Sequence, residues 1–165
     1  MKIALIGAGN IGRALVRDVL DVEPDATIHA VDFDPRALAA VQALGYGRKV
    51  TTQQAGADRV DALADIIRGH DVVVNTTYGA KCMEILDAAI AAKVPYIDVH
   101  GTLLMEERFS RHEVARAAGV TILIGTGVSP GLTNMMAAWG ARQFKGEVTI
   151  DCEYSTQRPI NPTEG

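Results

Sequence analysis

The feature that most constrains this chain is a set of glycines near its start, placed between an apolar strand and an amphipathic helix. Three glycines have the spacing G-x-G-x-x-G: Gly7, Gly9 and Gly12. The strand before them is predicted over 2–6, and the helix over 10–20. A second apolar strand, 27–31, ends at Asp32, twenty positions after the last glycine. Strand, glycine turn, helix, strand and acid therefore occur in the order of a βαβ unit.

Each residue type in this turn has a physical function. Gly7 allows a tight turn at the end of the strand, Gly9 leaves the backbone open to a pyrophosphate, and Gly12 lets helix and strand pack closely. The first free amides of the helix, near Gly9, Asn10 and Ile11, are expected to face phosphates at the positive end of the helix dipole. The pattern predicts a dinucleotide-binding site.

Asp32 bears on the choice of nucleotide. Its carboxylate is expected to accept hydrogen bonds from both hydroxyls of the adenosine ribose and to repel a 2′-phosphate, so NAD is predicted as the cofactor in preference to NADP. Arg36 is a cation that could neutralise such a phosphate, although a solvated arginine is the simpler interpretation. FAD sites share the glycine fingerprint, and methyltransferases use a related loop, so this unit alone leaves both open.

Composition narrows the class of partner. The chain has 165 residues, which is long enough for one domain with a hydrophobic core. Its net charge is −4. Its lysines and arginines are scattered singly, which predicts no nucleic-acid partner. Cys82 and Cys152 lie in no CxxC pattern, so we expect reduced thiols and no metal. The apolar start is interrupted by glycines, and no segment reaches membrane-spanning length, which predicts a cytoplasmic protein without a membrane partner.

Apolar strands and helices alternate along the rest of the chain. Further strands are predicted over 48–52, 70–75, 96–99, 120–124 and 147–154. Further helices are predicted over 35–44, 60–68, 82–92, 106–118 and 130–144. This alternation predicts an α/β fold: a doubly wound, mainly parallel, Rossmann-like sheet with helices on both faces, within a dinucleotide-binding domain over 1–146. In the strand order 3-2-1-4-5-6, ligands bind beyond the carboxyl ends of strands one and four.

Two polar clusters follow later strands and fall at that same edge. Asn75, Thr76 and Thr77 follow the fourth strand, where they either contact the cofactor's ribose or amide or cap the next helix. Asp98 and His100 lie at the end of the fifth strand. A carboxylate and an imidazole there suit proton transfer or recognition of an amine, and the alternative is a turn cap beside a solvated histidine.

A second glycine-rich loop, 125–131, leads into the last helix. Ser129 is predicted as its N-cap and Pro130 as its first residue. Such a helix start could hold a substrate carboxylate or lie beneath a nicotinamide. The alternative is an ordinary connection between a strand and a helix, without a ligand. Apolar residues of this helix are expected to pack against the rest of the fold: Met135, Met136, Trp139 and Phe144.

Read together, these segments resemble the saccharopine dehydrogenase-like oxidoreductases, and within them the lysine 6-dehydrogenase type. The matching stretches are KIALIGAGNIGRAL, GHDVVVNTT, VPYIDVHG and AAGVTILIGTGVSPGLTNMMAAWGA. The resemblance implies an NAD(P)-dependent oxidoreductase that acts at a carbon–nitrogen bond of an amino acid or amine substrate. Hydride would pass between the carbon that bears the nitrogen and the nicotinamide.

The resemblance also implies site residues beyond the glycine turn. Asp58 and Val60 occupy the place where the family meets the adenine. A further group would lie toward the nicotinamide and beyond it: Asn75, Thr76, Thr77, Asp98, Gly127 and Pro130. His100 is the best local candidate for a group that handles the amine proton.

The family's members are longer, because a substrate domain follows their nucleotide domain. We therefore expect residues 147–165 to begin a truncated substrate or dimerisation domain, and the full-length protein to be a homo-oligomer. We expect this chain alone to bind nucleotide with little or no turnover. Two alternatives stay open: a dinucleotide-sensing regulatory module without catalysis, and a methyltransferase.

Overall fold

A computed structural model describes residues 1–77, 79–101 and 104–152. The six strands run over Lys2–Ile6 (β1), Thr27–Asp32 (β2), Val50–Gln54 (β3), Val72–Asn75 (β4), Tyr96–Asp98 (β5) and Ile122–Leu123 (β6). They form one sheet in the order β3-β2-β1-β4-β5-β6, and every pairing between them is parallel. The predicted fold class and strand order are confirmed.

Helices connect the strands. Their bounds are Asn10–Val22 (α1), Pro35–Gln42 (α2), Val60–Ile67 (α3), Cys82–Ala92 (α4), Met105–Phe109 (α5), His112–Ala118 (α6) and Leu132–Ala141 (α7). Short 3₁₀ turns cover Gly47–Lys49 and Gly79–Lys81. The helix predicted over 106–118 is two helices, because the chain turns between α5 and α6. No helix within the described residues is both long enough and apolar enough to cross a membrane.

The core has two layers, one on each face of the sheet. Ile3 and Leu5 of β1 contribute to the layer that includes residues of α1 and α2. Ala4 and Ile6, which point to the opposite face, contribute to the layer that includes residues of α3, α4 and α6. Since both faces are covered, β1 is apolar at consecutive positions rather than at alternate ones.

The strand register aligns the residues at the carboxyl end of the sheet. Ile6 of β1 pairs with Val31 on one side and with Asn75 on the other. Asn75 in turn pairs with Asp98 of β5. The loops that follow β1, β2, β4 and β5 therefore leave the sheet side by side, as the parallel arrangement requires.

The last helix departs from the prediction. None of the residues of α7 is buried, and Trp139 keeps 69% of its surface exposed. Met135, Met136 and Phe144 are exposed as well, so the expected packing of these side chains is wrong. The strand predicted over 147–154 is absent from 147–152, and residues 153–165 lie outside the described part, so the predicted domain boundary there stays a prediction.

Candidate functional site

The glycine turn packs as tightly as its sequence predicts. Gly7 has a φ of +103°, and its N–H donates to the carbonyl oxygen of Val31 over 2.8 Å. A Cβ added to Gly7 would lie 2.8 Å from the backbone nitrogen of Thr77. One added to Gly12 would lie 2.1 Å from the carbonyl oxygen of Gly7. These two glycines are therefore required by the contacts among β1, α1 and the loop after β4.

Gly9 differs from its neighbours in the turn. Its φ is −68°, which any residue can adopt, and a Cβ added there would meet nothing within 4 Å. Gly9, Asn10 and Ile11 are all exposed, and the amides of this first turn lie at the positive end of a helix of 13 residues. The fold does not need glycine here, so the open space over Gly9 fits a diphosphate that approaches the backbone.

Asp32 is turned toward the protein's own backbone. Its Oδ2 accepts the amide of Ala8 over 2.7 Å, and its Oδ1 accepts the amide of Asp34 over 2.9 Å. The carboxylate thus links the end of β2 to the glycine turn. It borders a cleft of about 130 Å³ between the ends of β1 and β2, which is lined by Ile6, Gly7, Val31, Asp32, Phe33, Ala55, Ala57, Thr76 and Thr77.

The segment just after Asp32 places an aromatic ring and an ion pair beside this cleft. Phe33 keeps 76% of its surface exposed although it is apolar. Arg36 forms an ion pair with Asp34, with Nη2 and Oδ2 3.0 Å apart. The Arg36 guanidinium beside Asp34 holds the pKa of that carboxyl below its usual range, and Asp34 also caps α2 as predicted.

The predicted polar residues after β4 lie beside the glycine turn. Thr76 donates its hydroxyl to the carbonyl oxygen of Gly7 over 2.7 Å. Asn75 is fully buried, and its Oδ1 accepts both the backbone amide of Thr77 (3.0 Å) and its hydroxyl (2.8 Å). Asn75 therefore shapes the loop, while Thr76 and Thr77 line the cleft.

Asp98, the last residue of β5, has a structural environment that its position in the sequence did not reveal. It is completely buried, and Nη1 of Arg108 lies 2.9 Å from its Oδ2 and 3.1 Å from its Oδ1. Its carboxylate also accepts a hydroxyl donated by Tyr96 over 3.0 Å. Its oxygens are thus enclosed and engaged by the protein, and Oδ1 also accepts the backbone amide of His100, as the alternative of a turn cap predicts. A role of Asp98 in proton transfer stays a prediction. Burial, and then the Asp98 charge, raise the pKa of Tyr96.

His100 lies two residues further along the same loop. Its Nε2 is buried and has no hydrogen-bond partner among the described residues. Burial lowers the pKa of His100, with the Asp98 charge opposing that shift and the Arg108 charge adding to it. The imidazole is consequently held toward its neutral form, which is the form that can accept a proton.

The second glycine-rich loop closes on itself and on the loop after β5. Its Ser129–Pro130 peptide bond is cis, and the N-cap of α7 is Gly131, so the predicted cap at Ser129 and helix start at Pro130 are wrong. A Cβ on Gly127 would lie 2.7 Å from the carbonyl oxygen of Val99. Gly127 and Pro130 therefore lie beside residues 99–101.

The two residues expected at the adenine have different surroundings. Asp58 is exposed and forms an ion pair with Lys81, with Oδ1 and Nζ 2.8 Å apart. Val60 begins α3 and packs, partly buried, against the core. Asp58 thus lies at the surface in an ion pair, whereas Val60 is turned to the core. A contact of either residue with adenine stays a prediction.

Three residues of this region were missed by sequence reasoning. For Phe33 the available signal was an aromatic residue directly after the acid that ends a strand. Tyr96 and Arg108 carried none, because one reads as a strand residue and the other as a charge on the solvated face of a helix. Arg108 is in fact fully buried.

Comparison with known proteins shows to which family the sequence is similar. The family model described as the saccharopine dehydrogenase NADP binding domain matches residues 3–123. The carboxynorspermidine synthase of Vibrio alginolyticus is 28% identical to this chain, over 92% of the chain and 42% of that protein. The same enzyme of Vibrio cholerae is 24% identical over the same shares. The chain thus spans less than half the length of these relatives.

A solved structure shares the fold. Apo saccharopine dehydrogenase (L-Glu forming) from Saccharomyces cerevisiae has a TM-score of 0.72 and 18% sequence identity, covering 86% of this chain and 31% of that one. This identity supports a common architecture and nothing finer.

The match to an NADP-binding domain corrects the predicted cofactor. NAD was preferred because Asp32 was expected to repel a 2′-phosphate, but the family's domain is described as NADP-binding. The structure supplies a physical reason for the error. Both oxygens of Asp32 accept backbone amides, which offset part of its charge, and the exposed cation of Arg36 lies four residues further along, where it contacts Asp34.

Proposed function

The chain belongs to the saccharopine dehydrogenase family, and we propose that it is the NADP-binding part of an oxidoreductase that acts on a carbon–nitrogen bond of an amino acid or amine. The observation that carries the proposal is the open space over Gly9, at the exposed start of α1 and beside the cleft between β1 and β2. A turn that served only to join strand and helix would need Gly7 and Gly12 but not Gly9.

The adenosine half of NADP would lie on the β2 side of this edge. The amides at the start of α1 would bind the diphosphate, and the ring of Phe33 offers an apolar surface for the adenine. Arg36 supports recognition of the 2′-phosphate, because its guanidinium is exposed and can exchange its half-buried partner Asp34 for a phosphate. Surface ion pairs are weak, so that exchange costs little.

The nicotinamide half would lie toward β4 and β5, where Thr76 and Thr77 flank the cleft. When bound, NADP supplies a hydride acceptor or, reduced, a hydride donor. The substrate would meet it near residues 99–101 and the loop that holds Gly127 and Pro130. We propose His100 as the group that handles the amine proton, because its lowered pKa keeps the imidazole neutral. The names of the Vibrio relatives extend the candidate substrates to a carboxylated polyamine.

Calorimetric titration tests the cofactor part of the proposal. NADPH, NADH and S-adenosylmethionine are each titrated into the 165-residue chain under the same buffer conditions. We expect NADPH to bind at least tenfold more tightly than NADH, and S-adenosylmethionine not to bind. Binding of S-adenosylmethionine alone would replace the proposal with a methyltransferase, and binding of none of the three would remove it.

A dinucleotide-sensing module without catalysis is the second candidate. It is favoured by the burial of Asp98, whose carboxylate is taken up by Arg108 and Tyr96 and so is closed to a substrate. An NADPH-oxidation assay with mixtures of a carbonyl compound and an amine separates the two. Sustained oxidation favours the enzyme, whereas tight NADPH binding with no oxidation by the chain or by any longer protein that contains it favours the sensor.

A further inference from the structure

A buried polar network runs beneath the loops at the carboxyl end of the sheet. We call four residues the edge network: Asn75, Tyr96, Asp98 and Arg108. All four are buried, and the ion pair between Asp98 and Arg108 has neither side chain exposed. Arg108 comes from α5, so this helix is connected through its guanidinium to the ends of β4 and β5.

The Arg108–Asp98 pair fixes the loops that follow β5 and β6. The guanidinium of Arg108 donates to the carbonyl oxygen of Gly101 as well as to Asp98. The Asp98 carboxylate accepts the backbone amides of His100 (3.2 Å) and Gly125 (3.0 Å). Two loops that are distant in sequence are therefore held by the same pair of charges.

The network continues to the other loops of the site. The Tyr96 hydroxyl donates to Asp98 and accepts from Nδ2 of Asn75, each over 3.0 Å. Asn75 then holds Thr77 through its Oδ1. The hydroxyl of Thr76, the residue between Asn75 and Thr77, donates to the carbonyl oxygen of Gly7 in the glycine turn. Among the described residues, the loops after β5 and β6 are thus connected to Arg108 directly or through Asp98. The loop after β4 is connected to it through Asn75, Tyr96 and Asp98.

Stability alone does not account for a buried ion pair at this place. Apolar side chains of similar volume often stabilise a fold equally well, since they avoid the desolvation of two charges. The network also lies on the half of the sheet opposite to the one that receives the adenosine. We infer that Arg108 is a positioning residue that sets the loops around the nicotinamide half of NADP and the substrate. This inference rests on the proposed function.

Two ligands separate positioning from a general effect on the fold. NADPH would contact both halves of the site, whereas 2′,5′-ADP lacks the nicotinamide, its ribose and the phosphate attached to that ribose. The double variant Arg108→Met/Asp98→Asn removes both charges together, so that no unpaired charge is left in the core. We expect it to bind NADPH at least tenfold more weakly than the unmodified chain, with 2′,5′-ADP affinity changed less than twofold. Arg108→Lys keeps the charge but not the planar guanidinium. We expect its NADPH affinity to lie between those of the unmodified chain and the double variant.

Arg111→Met is the matched control. It breaks the ion pair between Arg111 and Asp87, which joins the α5–α6 turn to α4 and is partly exposed. We expect both ligand affinities to stay within twofold. Melting temperatures measured for every variant show whether the fold is equally perturbed.

The outcomes are distinct. Equal weakening of NADPH and 2′,5′-ADP would assign Arg108 to the fold and overturn the inference, as would no change in either. Failure of both the double variant and Arg108→Lys to fold would also overturn it, because the network would then be needed for folding itself. If the unmodified chain binds neither ligand, the proposed function fails and the inference fails with it.

Discussion

Replacement of Gly9 by alanine separates the requirements of the fold from those of the ligand. The added methyl group meets nothing within 4 Å, and the φ of −68° is allowed for alanine. Alanine is a poorer helix N-cap than glycine, which costs less than about 1 kcal/mol. For a domain of this size we expect the melting temperature to fall by no more than about 4 °C.

Binding should respond far more strongly. The methyl group occupies the space that a diphosphate would need to approach the first amides of α1, and each lost amide contact to a charged oxygen is worth about 1.5–3 kcal/mol. Loss of a single contact therefore predicts a dissociation constant for NADPH raised by roughly tenfold or more. Calorimetry measures the affinity, and differential scanning fluorimetry measures the stability of the same sample.

Gly12→Ala is the matched control with the opposite pattern. Its Cβ would lie 2.1 Å from the carbonyl oxygen of Gly7, so α1 and β1 must separate. We expect a loss of at least about 1–3 kcal/mol in the free energy of unfolding, as for other overpacked sites. If Gly9→Ala binds NADPH as well as the unmodified chain while remaining folded, the space over Gly9 is not a phosphate site and the reasoning is refuted.

Three further outcomes are expected. Arg36→Ala should weaken NADPH binding at least fivefold and leave NADH binding unchanged. Arg59→Ala, which breaks the ion pair of another exposed arginine, should change the binding of neither; equal effects of the two variants would argue against a phosphate contact. Because burial lowers the pKa of His100 from its usual 6.5, the unfolded chain binds a proton that the folded chain does not, so the free energy of unfolding should fall as pH drops below 6.5. Urea titrations between pH 5 and 7 should give a shallower dependence for His100→Gln, and an unchanged slope would contradict this. Cys82 is buried with a raised pKa, so a thiol reagent should modify only the exposed Cys152 until the chain unfolds; rapid reaction of both thiols would disprove that burial.

Much of the fold could be predicted because local pattern and global arrangement agree. Consecutive apolar residues in β1 and β4 predict strands covered on both faces, and the bounds of α4 at Cys82 and Ala92 were as predicted. The start of α7 was not, because Ser129 and Pro130 have the composition of a helix start but form part of a closed loop that ends at Gly131. Sequence preference there was overridden by the contact of Gly127 with the loop after β5.

The part of the candidate site that one short segment forms could be predicted from the sequence. The glycine turn needs only spacing, and Gly7 and Gly12 make the close contacts expected of them. The role of Asp98 was not predictable, since it depends on Arg108, which lies ten residues away and enters from α5. The nucleotide was misjudged for a similar reason: the charge of Asp32 can be read from the sequence, but the amides that it accepts cannot.

The exposed apolar face of α7 has a practical consequence for every binding measurement proposed above. Leu132, Met135, Met136 and Trp139 are all at least 48% exposed, a patch that favours self-association in water. Trp139 is the single tryptophan of the sequence, so we expect its emission to shift to shorter wavelength if molecules associate through this face as protein concentration increases. That shift gives an internal gauge of how dilute a sample must be for a titration to measure individual molecules.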